Sequence, residues 1–159
     1  MQTPRIEADN SGERAFHELG MHGEAPALRG EQGGEAGRAA YVLHLPYPVA
    51  LNRAYRNFRG VTVLSPEGKL WKVLAAKEAM FYRVKPLIGP VCCRMILHPR
   101  LTKSGEASKT RMDLDAIFKL ALDALNGIAW QDDKQIEELS ARIGEPIKDG
   151  GLTVEIQGV

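Results

Sequence analysis

The chain has 159 residues, of which 44% are hydrophobic and 26% are charged, with a formal net charge of +1; these values are typical of a globular protein with one domain and some additional chain. No stretch approaches the roughly 18 consecutive apolar residues of a membrane span, and the N-terminus lacks the charged-then-apolar layout of a signal peptide. The two cysteines are adjacent, at Cys92 and Cys93, which argues against a disulfide framework or a zinc site, so we expect a soluble cytoplasmic protein.

Residues 1–38 differ in composition from the rest of the chain. They are rich in glycine, carry scattered charges and contain few apolar residues, without a sustained period. Such a segment buries too little apolar surface to offset its ordering entropy. We therefore predict a flexible or disordered N-terminal tail at 1–38, followed by one folded domain at 39–159.

The domain begins with two short predicted strands. Residues 41–45 form the first strand, which Pro46 and Pro48 stop, and residues 61–64 form the second. Between the two strands we predict a loop at 51–59.

A long helix is predicted to follow the second strand. Ser65 and Pro66 are typical of a helix start, since a hydroxyl cap is followed by proline at the first helical position. The helix is predicted to extend towards Pro86 as an amphipathic helix, with an apolar stripe at Leu70, Val73, Leu74, Met80, Phe81 and Val84. After it, residues 91–97 are apolar on both faces and are predicted to form a central strand.

The acidic end of the chain is predicted to add a second helix and two more strands. The residues Asn126 and Gly127 are a helix stop, and the helix before them has an apolar stripe at Ile117, Phe118, Ala121, Leu122 and Leu125. Residues 136–143 and 151–156 are predicted strands that flank a turn at 148–151, with one face of the last strand exposed to solvent. These elements predict a single mixed α/β (α+β) domain, with one mixed sheet and two main helices.

Acidic residues form two pairs that could hold a divalent cation. Asp113 and Asp115 stand two residues apart, Lys119 lies one helical turn further on, and Asp132 and Asp133 form the second pair. Hard cations such as Mg²⁺ prefer oxygen ligands of this kind. Because residues two apart in a helix point to nearly opposite sides, we expect Asp115 to cap the helix and Asp113 to lie in extended backbone before it. The alternative is that the first pair only caps the helix and the second is an ordinary solvated turn.

Charge is distributed unevenly along the domain. Residues 41–110 carry a net charge of +9 and residues 111–159 a net charge of −5. This asymmetry predicts a polyanion-binding face next to a cation-binding site, unless the fold interleaves the two segments and neutralises them. The candidates for this polyanion-binding face are Asn52, Arg53, Arg56, Arg59, Lys72, Lys109 and Arg111.

Four motifs follow one another along the chain: LPYPVALNRAYRN at 45–57, RMDLDAIFK at 111–119, DAL at 123–125 and WQDD at 130–133. Together and in this order they resemble the RusA family of Holliday-junction resolvases, found in bacteria and their prophages. The resemblance covers about residues 42 to 157, which is essentially the whole predicted domain and implies a RusA-like fold. The predicted tail has no counterpart in the family.

The resemblance implies a set of catalytic residues. It implies that Asp113, Asp115 and Asp133 bind Mg²⁺, with Mn²⁺ as a possible substitute, and that Lys119 is needed for cleavage. The segment between Lys119 and the acidic pair is slightly shorter here than in the family's pattern, so the third ligand is either Asp132 or Asp133.

The leading functional hypothesis is a metal-dependent, structure-selective DNA endonuclease that resolves Holliday junctions by paired symmetric nicks during recombination and repair. Since a four-way junction has two-fold symmetry and needs two cuts, we expect a homodimer. One alternative is a non-catalytic nucleic-acid-binding protein with a structural cation site. Another is a nuclease that prefers a different branched or single-stranded substrate.

Overall fold

A computed structural model describes residues 40–159, and the predicted tail at 1–38 lies outside the described residues. The described chain contains six strands, three α-helices and a short 3₁₀ helix. In chain order they are β1 (Ala40–Pro46), α1 (Leu51–Ala54), β2 (Tyr55–Phe58), β3 (Val61–Leu64), α2 (Pro66–Phe81), β4 (Val91–His98), α3 (Leu114–Leu125), the 3₁₀ helix (Asp133–Gln135), β5 (Ile136–Ile143) and β6 (Gly151–Gly158). The predicted mixed α/β class with two main helices is confirmed.

Four of the strands form one mixed sheet in the order β1-β6-β4-β5. Strand β6 pairs antiparallel with both β1 and β4, whereas β5 pairs parallel with β4. The last two strands are therefore not hairpin partners. Strand β4 is internal, as its apolar faces predicted, and α3 is the crossover between the parallel strands β4 and β5. Consequently α3 begins near the C-terminal end of β4 and ends near the N-terminal end of β5.

The predicted loop at 51–59 contains regular structure, which is a correction to the sequence analysis. Its first residues form the single turn of α1, and its last residues form β2, which pairs antiparallel with β3 in a separate two-stranded sheet. The hairpin turn places Arg59 and Gly60 at positive φ, 53° and 79°. Strand β2 carries polar side chains on both faces and therefore lacks the alternation of apolar and polar residues from which a strand is predicted.

Helix α2 begins as predicted but presents a different face to the core. The Ser65 hydroxyl accepts a hydrogen bond from the Gly68 amide at 3.0 Å, which confirms the cap. The helix ends at Phe81 rather than near Pro86. Of the predicted apolar stripe, four side chains are largely exposed: Leu70 at 61%, Val73 at 49%, Met80 at 73% and Phe81 at 69%.

The face of α2 that is buried carries mostly small residues. Trp71, Ala75 and Ala79 are the buried side chains of this face, and Gly68 joins them. A Cβ atom at Gly68 would lie 2.5 Å from the carbonyl oxygen of Ala54, so glycine permits close contact between α1 and α2. The small side chains let α2 pack closely, and a pattern based on large apolar residues predicted the opposite face.

Helix α3 is anchored in the core largely as predicted. Its buried residues are Ile117, Leu120, Ala121, Ala124 and Leu125, while Phe118 and Leu122 of the predicted stripe are partly buried and pack against the core. The helix ends at Asn126, followed by Gly127 at a φ of 78°, which confirms the predicted stop. No helix in the 40–159 region is long and apolar enough to cross a membrane.

The outward face of β6 is less exposed than predicted at Thr153. This threonine is only 7% exposed, and its hydroxyl forms hydrogen bonds with His44 Nδ1 at 3.2 Å and His98 Nε2 at 3.0 Å. Burial and the neighbouring His98 lower the pKa of His44. The two histidines therefore tie β1, β6 and β4 together and have a structural role.

Candidate active site

Two predicted metal ligands lie exposed at the start of α3. Asp113 is the N-cap residue, in extended backbone at φ −69° and ψ 145°, and Asp115 lies in the first helical turn. The expectation that Asp115 is the cap was wrong, because Asp113 occupies that position, although its side chain forms no capping hydrogen bond. Neither carboxylate has an ion-pair partner within residues 40–159. Both remain available to a ligand, at the positive end of the helix dipole.

The second acidic pair separates into two different environments. The Asp132 carboxylate caps the 3₁₀ helix, accepting a hydrogen bond from the Lys134 amide at 2.8 Å, and Gln135 completes a capping box. The Asp133 carboxylate instead accepts a hydrogen bond from Trp130 Nε1 at 2.7 Å through one oxygen. The Asp132 carboxylate thus stabilises the start of the 3₁₀ helix. The Asp133 carboxylate is held in a fixed orientation, and its other oxygen has no partner in the described chain.

The two acidic pairs lie at opposite ends of α3. Because α3 is the crossover between β4 and β5, its first turn carries Asp113 and Asp115, and Asp133 follows its C-terminal end. The helix has 12 residues, and at a rise of about 1.5 Å per residue this separates the pairs by about 18 Å. Among residues 40–159, no three His, Cys, Asp or Glu side chains are grouped closely enough to hold a metal ion. A single chain therefore does not bring the three predicted aspartates together.

Lys119 belongs to a small polar network with Asp123 and Tyr55. Its Nζ donates to Asp123 Oδ2 at 3.3 Å and lies 5.2 Å from the centre of the Tyr55 ring. The Tyr55 hydroxyl donates to the same Asp123 oxygen at 2.5 Å, and burial, followed by this bond, raises the pKa of Tyr55. Lys119 and Asp123 stand four residues apart, a spacing at which side chains meet on a helix surface, but no local pattern connects Tyr55 to α3.

Four of the predicted DNA-binding residues surround α1 and the β2–β3 hairpin. Asn52 and Arg53 lie on α1, Arg56 lies on β2 and Arg59 lies in the hairpin turn, and all four are exposed. Arg53 forms an ion pair with Glu67 at 2.7 Å, which lowers its net contribution to a positive surface. The result is a basic arm that projects polar side chains on both faces.

Aromatic residues and Lys72 accompany this arm. Phe58 is 58% exposed, and the Arg59 guanidinium lies 5.4 Å from the centre of its ring. Tyr55 is partly buried against α3, so only one of the two aromatics of this segment is open to a base. Lys72 lies on α2 and is half-buried.

The remaining two DNA-binding candidates, Lys109 and Arg111, line a pocket of about 420 Å³. The pocket lies at the C-terminal ends of the parallel strands β4 and β5, since Pro99 follows β4 and Ile143 is the last residue of β5. Ligand sites in sheets with parallel strands commonly occupy this edge. Arg111 lies two residues before Asp113, so one lining residue of the pocket is close to the carboxylate pair in the chain.

Comparison with known proteins identifies relatives over most of the chain. The sequence model of the family described as Endodeoxyribonuclease RusA matches residues 46–157. The crossover junction endodeoxyribonuclease RusA of Escherichia coli strain K12 is 34% identical over 125 residues, which cover 74% of this chain and 96% of the relative. A relative of the same name from Shigella sonnei is 33% identical over 125 residues, with the same coverage of both chains. One from Enterobacteria phage 82 is 31% identical over 123 residues, again covering 74% and 96%.

Proposed function

Because the chain belongs to the RusA endodeoxyribonuclease family, we propose that it is a structure-selective endonuclease that cuts four-way Holliday junctions. The observation that carries the proposal is the exposed carboxylate pair, Asp113 and Asp115, which has no partner in the described chain. The basic side chains Lys109 and Arg111 lie immediately before this pair. Phosphate-binding and cation-binding groups are thus adjacent at one end of α3. The enzyme would act in the cytoplasm, during recombination and repair.

The donor chemistry at the start of α3 fits a divalent cation. Mg²⁺ is usually held by one or two carboxylates and completes its octahedron with waters and substrate phosphate oxygens. Asp113 and Asp115 supply two such carboxylates, and they would hold Mg²⁺, or Mn²⁺ in its place. The chemistry available from a bound cation is a lowered pKa of water and compensation of charge on the phosphoryl oxygens.

A second copy of the chain would bring the third aspartate to this site. The length of α3, about 18 Å, lies between Asp113 at its start and the segment that carries Asp133 after its end, so a single cation would not contact both within one protomer. In a two-fold symmetric homodimer, Asp133 of one protomer can approach Asp113 and Asp115 of its partner. The hydrogen bond from Trp130 fixes Asp133 in one orientation, as a ligand donated across an interface requires. Two such sites per dimer would produce paired, symmetric nicks.

Lys119 is proposed to act on the phosphate in the transition state. It lies one helical turn beyond Asp115 on the same face of α3, and Asp123 holds its ammonium group. Asp123 is therefore a positioning residue, which Tyr55 holds in turn. An exposed ammonium near the reacting phosphate would offset the negative charge that develops on its oxygens.

The test is cleavage of a labelled synthetic four-way junction in Mg²⁺, compared with the same reaction in EDTA and with a linear duplex of the same sequence. We expect symmetric nicks in two opposing strands in Mg²⁺ only, and little cutting of the duplex. The second candidate is a non-catalytic nucleic-acid-binding protein, in which Lys119 and Asp123 form only a surface ion pair. Binding of the junction in EDTA without cutting in Mg²⁺ would support that candidate. Equal cutting of flaps or single strands would indicate a nuclease for another substrate.

A further inference from the structure

The pocket at the C-terminal ends of β4 and β5 combines apolar walls with a basic rim. Its apolar lining residues are Pro99, Ala107, Ile143 and Pro146, and its polar lining residues include Ser108, Lys109 and Arg111. Its volume of about 420 Å³ lies within the range of pockets that take small organic ligands. A site for phosphate alone would not need these apolar walls.

Backbone hydrogen bonds fix the walls of the pocket. The Gly144 amide donates to the Leu97 carbonyl at 2.9 Å, the Ile147 amide to the Pro99 carbonyl at 2.9 Å, and the Ser108 amide to the Arg100 carbonyl at 2.7 Å. These bonds connect the segments after β4 and β5 to each other. The pocket is therefore formed before a ligand arrives, which lowers the entropy cost of binding.

The rim of the pocket carries two positive charges that no carboxylate of the described chain neutralises by a direct ion pair. Lys109 and Arg111 are exposed, and neither pairs with a carboxylate within the described part of the chain. None of the side chains that line the pocket is acidic. An anion with an attached apolar ring system fits this combination of charge and shape.

We propose that the pocket holds one unpaired nucleotide of the DNA substrate, beside the phosphate that is cut. The base would lie against Pro99, Ile143 and Pro146, and its phosphate would bind Lys109 and Arg111. Enzymes that place a base in such a pocket hold it between apolar or aromatic side chains, at the cost of unstacking it from the duplex. The inference rests on the proposed function, because it takes Asp113, two residues after the lining residue Arg111, as part of the cleavage site.

The test uses a variant that fills the pocket, Ala107→Leu, with Ser104→Leu as a matched control in the same loop but outside the lining. Single-turnover cleavage is measured on junctions with an abasic site at each position near the cut in turn. For the native protein and the control, we expect one abasic position to slow cleavage about ten-fold or more, the size expected for one held base. For Ala107→Leu, the same position should change the rate by less than about two-fold, because the base is already excluded.

A second variant and a second measurement exclude a folding defect. Pro146→Ala removes part of a wall without filling the pocket and should also reduce the abasic penalty, while both variants keep their melting temperature and still bind the junction in EDTA. A 2-aminopurine base at the sensitive position should brighten when the native protein binds in EDTA, and not when Ala107→Leu binds.

The outcomes separate this inference from the proposed function. If the native protein cuts junctions normally but no abasic position slows it, the pocket binds phosphate alone and the inference is overturned. The same conclusion follows if Ala107→Leu keeps the full abasic penalty. If the native protein binds junctions and cuts none of them in Mg²⁺, the endonuclease proposal fails, and the inference with it.

Discussion

At the scale of single residues, the candidate site is distinguished by which carboxylates have partners. Asp132 and Asp123 are engaged in hydrogen bonds that define local structure, and Asp133 is oriented by Trp130. Asp113 and Asp115 have no such partner in the described chain. Exposed carboxylates whose oxygens accept no hydrogen bond from the protein can coordinate a cation without first breaking such a bond.

The carboxylates can be tested one at a time. We expect Asp113→Asn, Asp115→Asn and Asp133→Asn each to lower single-turnover junction cleavage in Mg²⁺ by at least about a hundred-fold, because the amide keeps the size but loses the charge. Junction affinity, measured by gel shift in EDTA, should stay the same or increase, because repulsion against phosphate is removed. Asp132→Asn is the matched control and should cut at nearly the native rate. Loss of cleavage in Asp132→Asn with normal cutting by Asp133→Asn would contradict the assignment.

Lys119 should behave differently from basic residues that only bind phosphate. Lys119→Ala should lower the single-turnover rate on saturating junction by at least about a hundred-fold, with little change in affinity. Arg56→Ala and Lys72→Ala should weaken binding and reduce the salt dependence of affinity by about one unit of slope, while bound junction is still cut. Equal rates for the native protein and Lys119→Ala would show that Lys119 only forms a surface ion pair with Asp123.

At the scale of secondary-structure elements, α2 and α3 differ in the size of the side chains that they bury in the core. Helix α3 buries large side chains such as Ile117 and Leu120, whereas α2 buries Ala75 and Ala79 beside Trp71. The Trp71 indole donates to the Pro46 carbonyl at 3.1 Å, which fixes α2 against the end of β1. Leu70, Val73, Met80 and Phe81 are consequently left on its outer face.

The packing face of α2 can be tested with two neighbouring residues. Ala79→Leu should destabilise the protein by about 1–3 kcal/mol, because the buried face has no room for the added carbons. Met80→Gln should change stability by no more than about 0.5 kcal/mol, since this side chain is exposed. The measurement is urea denaturation of both variants at the same protein concentration. A larger loss for Met80→Gln than for Ala79→Leu would show that the outer face is the buried one.

The elements that the sequence predicts well are those whose own residues determine the structure, through a cap, a stop or a run of apolar side chains. The cap at Ser65, the stop at Gly127 and the strands of the main sheet depend on local chemistry, and the structure confirms them. Which face of α2 is buried depends on the shape of the surface against which the helix packs. Small residues such as Ala75 and Ala79 do not indicate this face in the sequence. The pair Asp113 and Asp115 was visible as a motif, whereas the bond between Tyr55 and Asp123 depends on tertiary packing.

At the scale of the whole molecule, the candidate functional residues lie at two opposite edges of the sheet, and α3 runs between these edges. The basic pocket and the carboxylate pair lie near the C-terminal ends of β4 and β5, and Asp133 lies near their N-terminal ends. The length of α3 keeps these edges apart in one chain. The proposed site with three aspartates would therefore need two chains, as would the paired cuts proposed for a substrate of two-fold symmetry.

The N-terminal segment is predicted to be dispensable for this assembly. Deletion of residues 1–38 should leave the melting temperature and the junction-cleavage rate close to native values, because the composition of this segment offers little apolar surface to a core. Thermal melting and single-turnover cleavage of the truncated chain provide the measurement. A large loss of either would show that the segment docks on the domain or on DNA.

The central claim, that two chains build each catalytic site, is tested most directly by mixing two inactive variants. Asp113→Asn and Asp133→Asn should each fail to cut as homodimers. A heterodimer of the two has one site in which both aspartates are intact, if Asp133 is donated across the interface. An equal mixture, co-refolded so that protomers exchange, should therefore recover about a quarter of the native nicking sites, each junction being cut in one strand. If the mixture binds junctions as tightly as the native protein and remains inactive, each site is built within one chain and the account is contradicted.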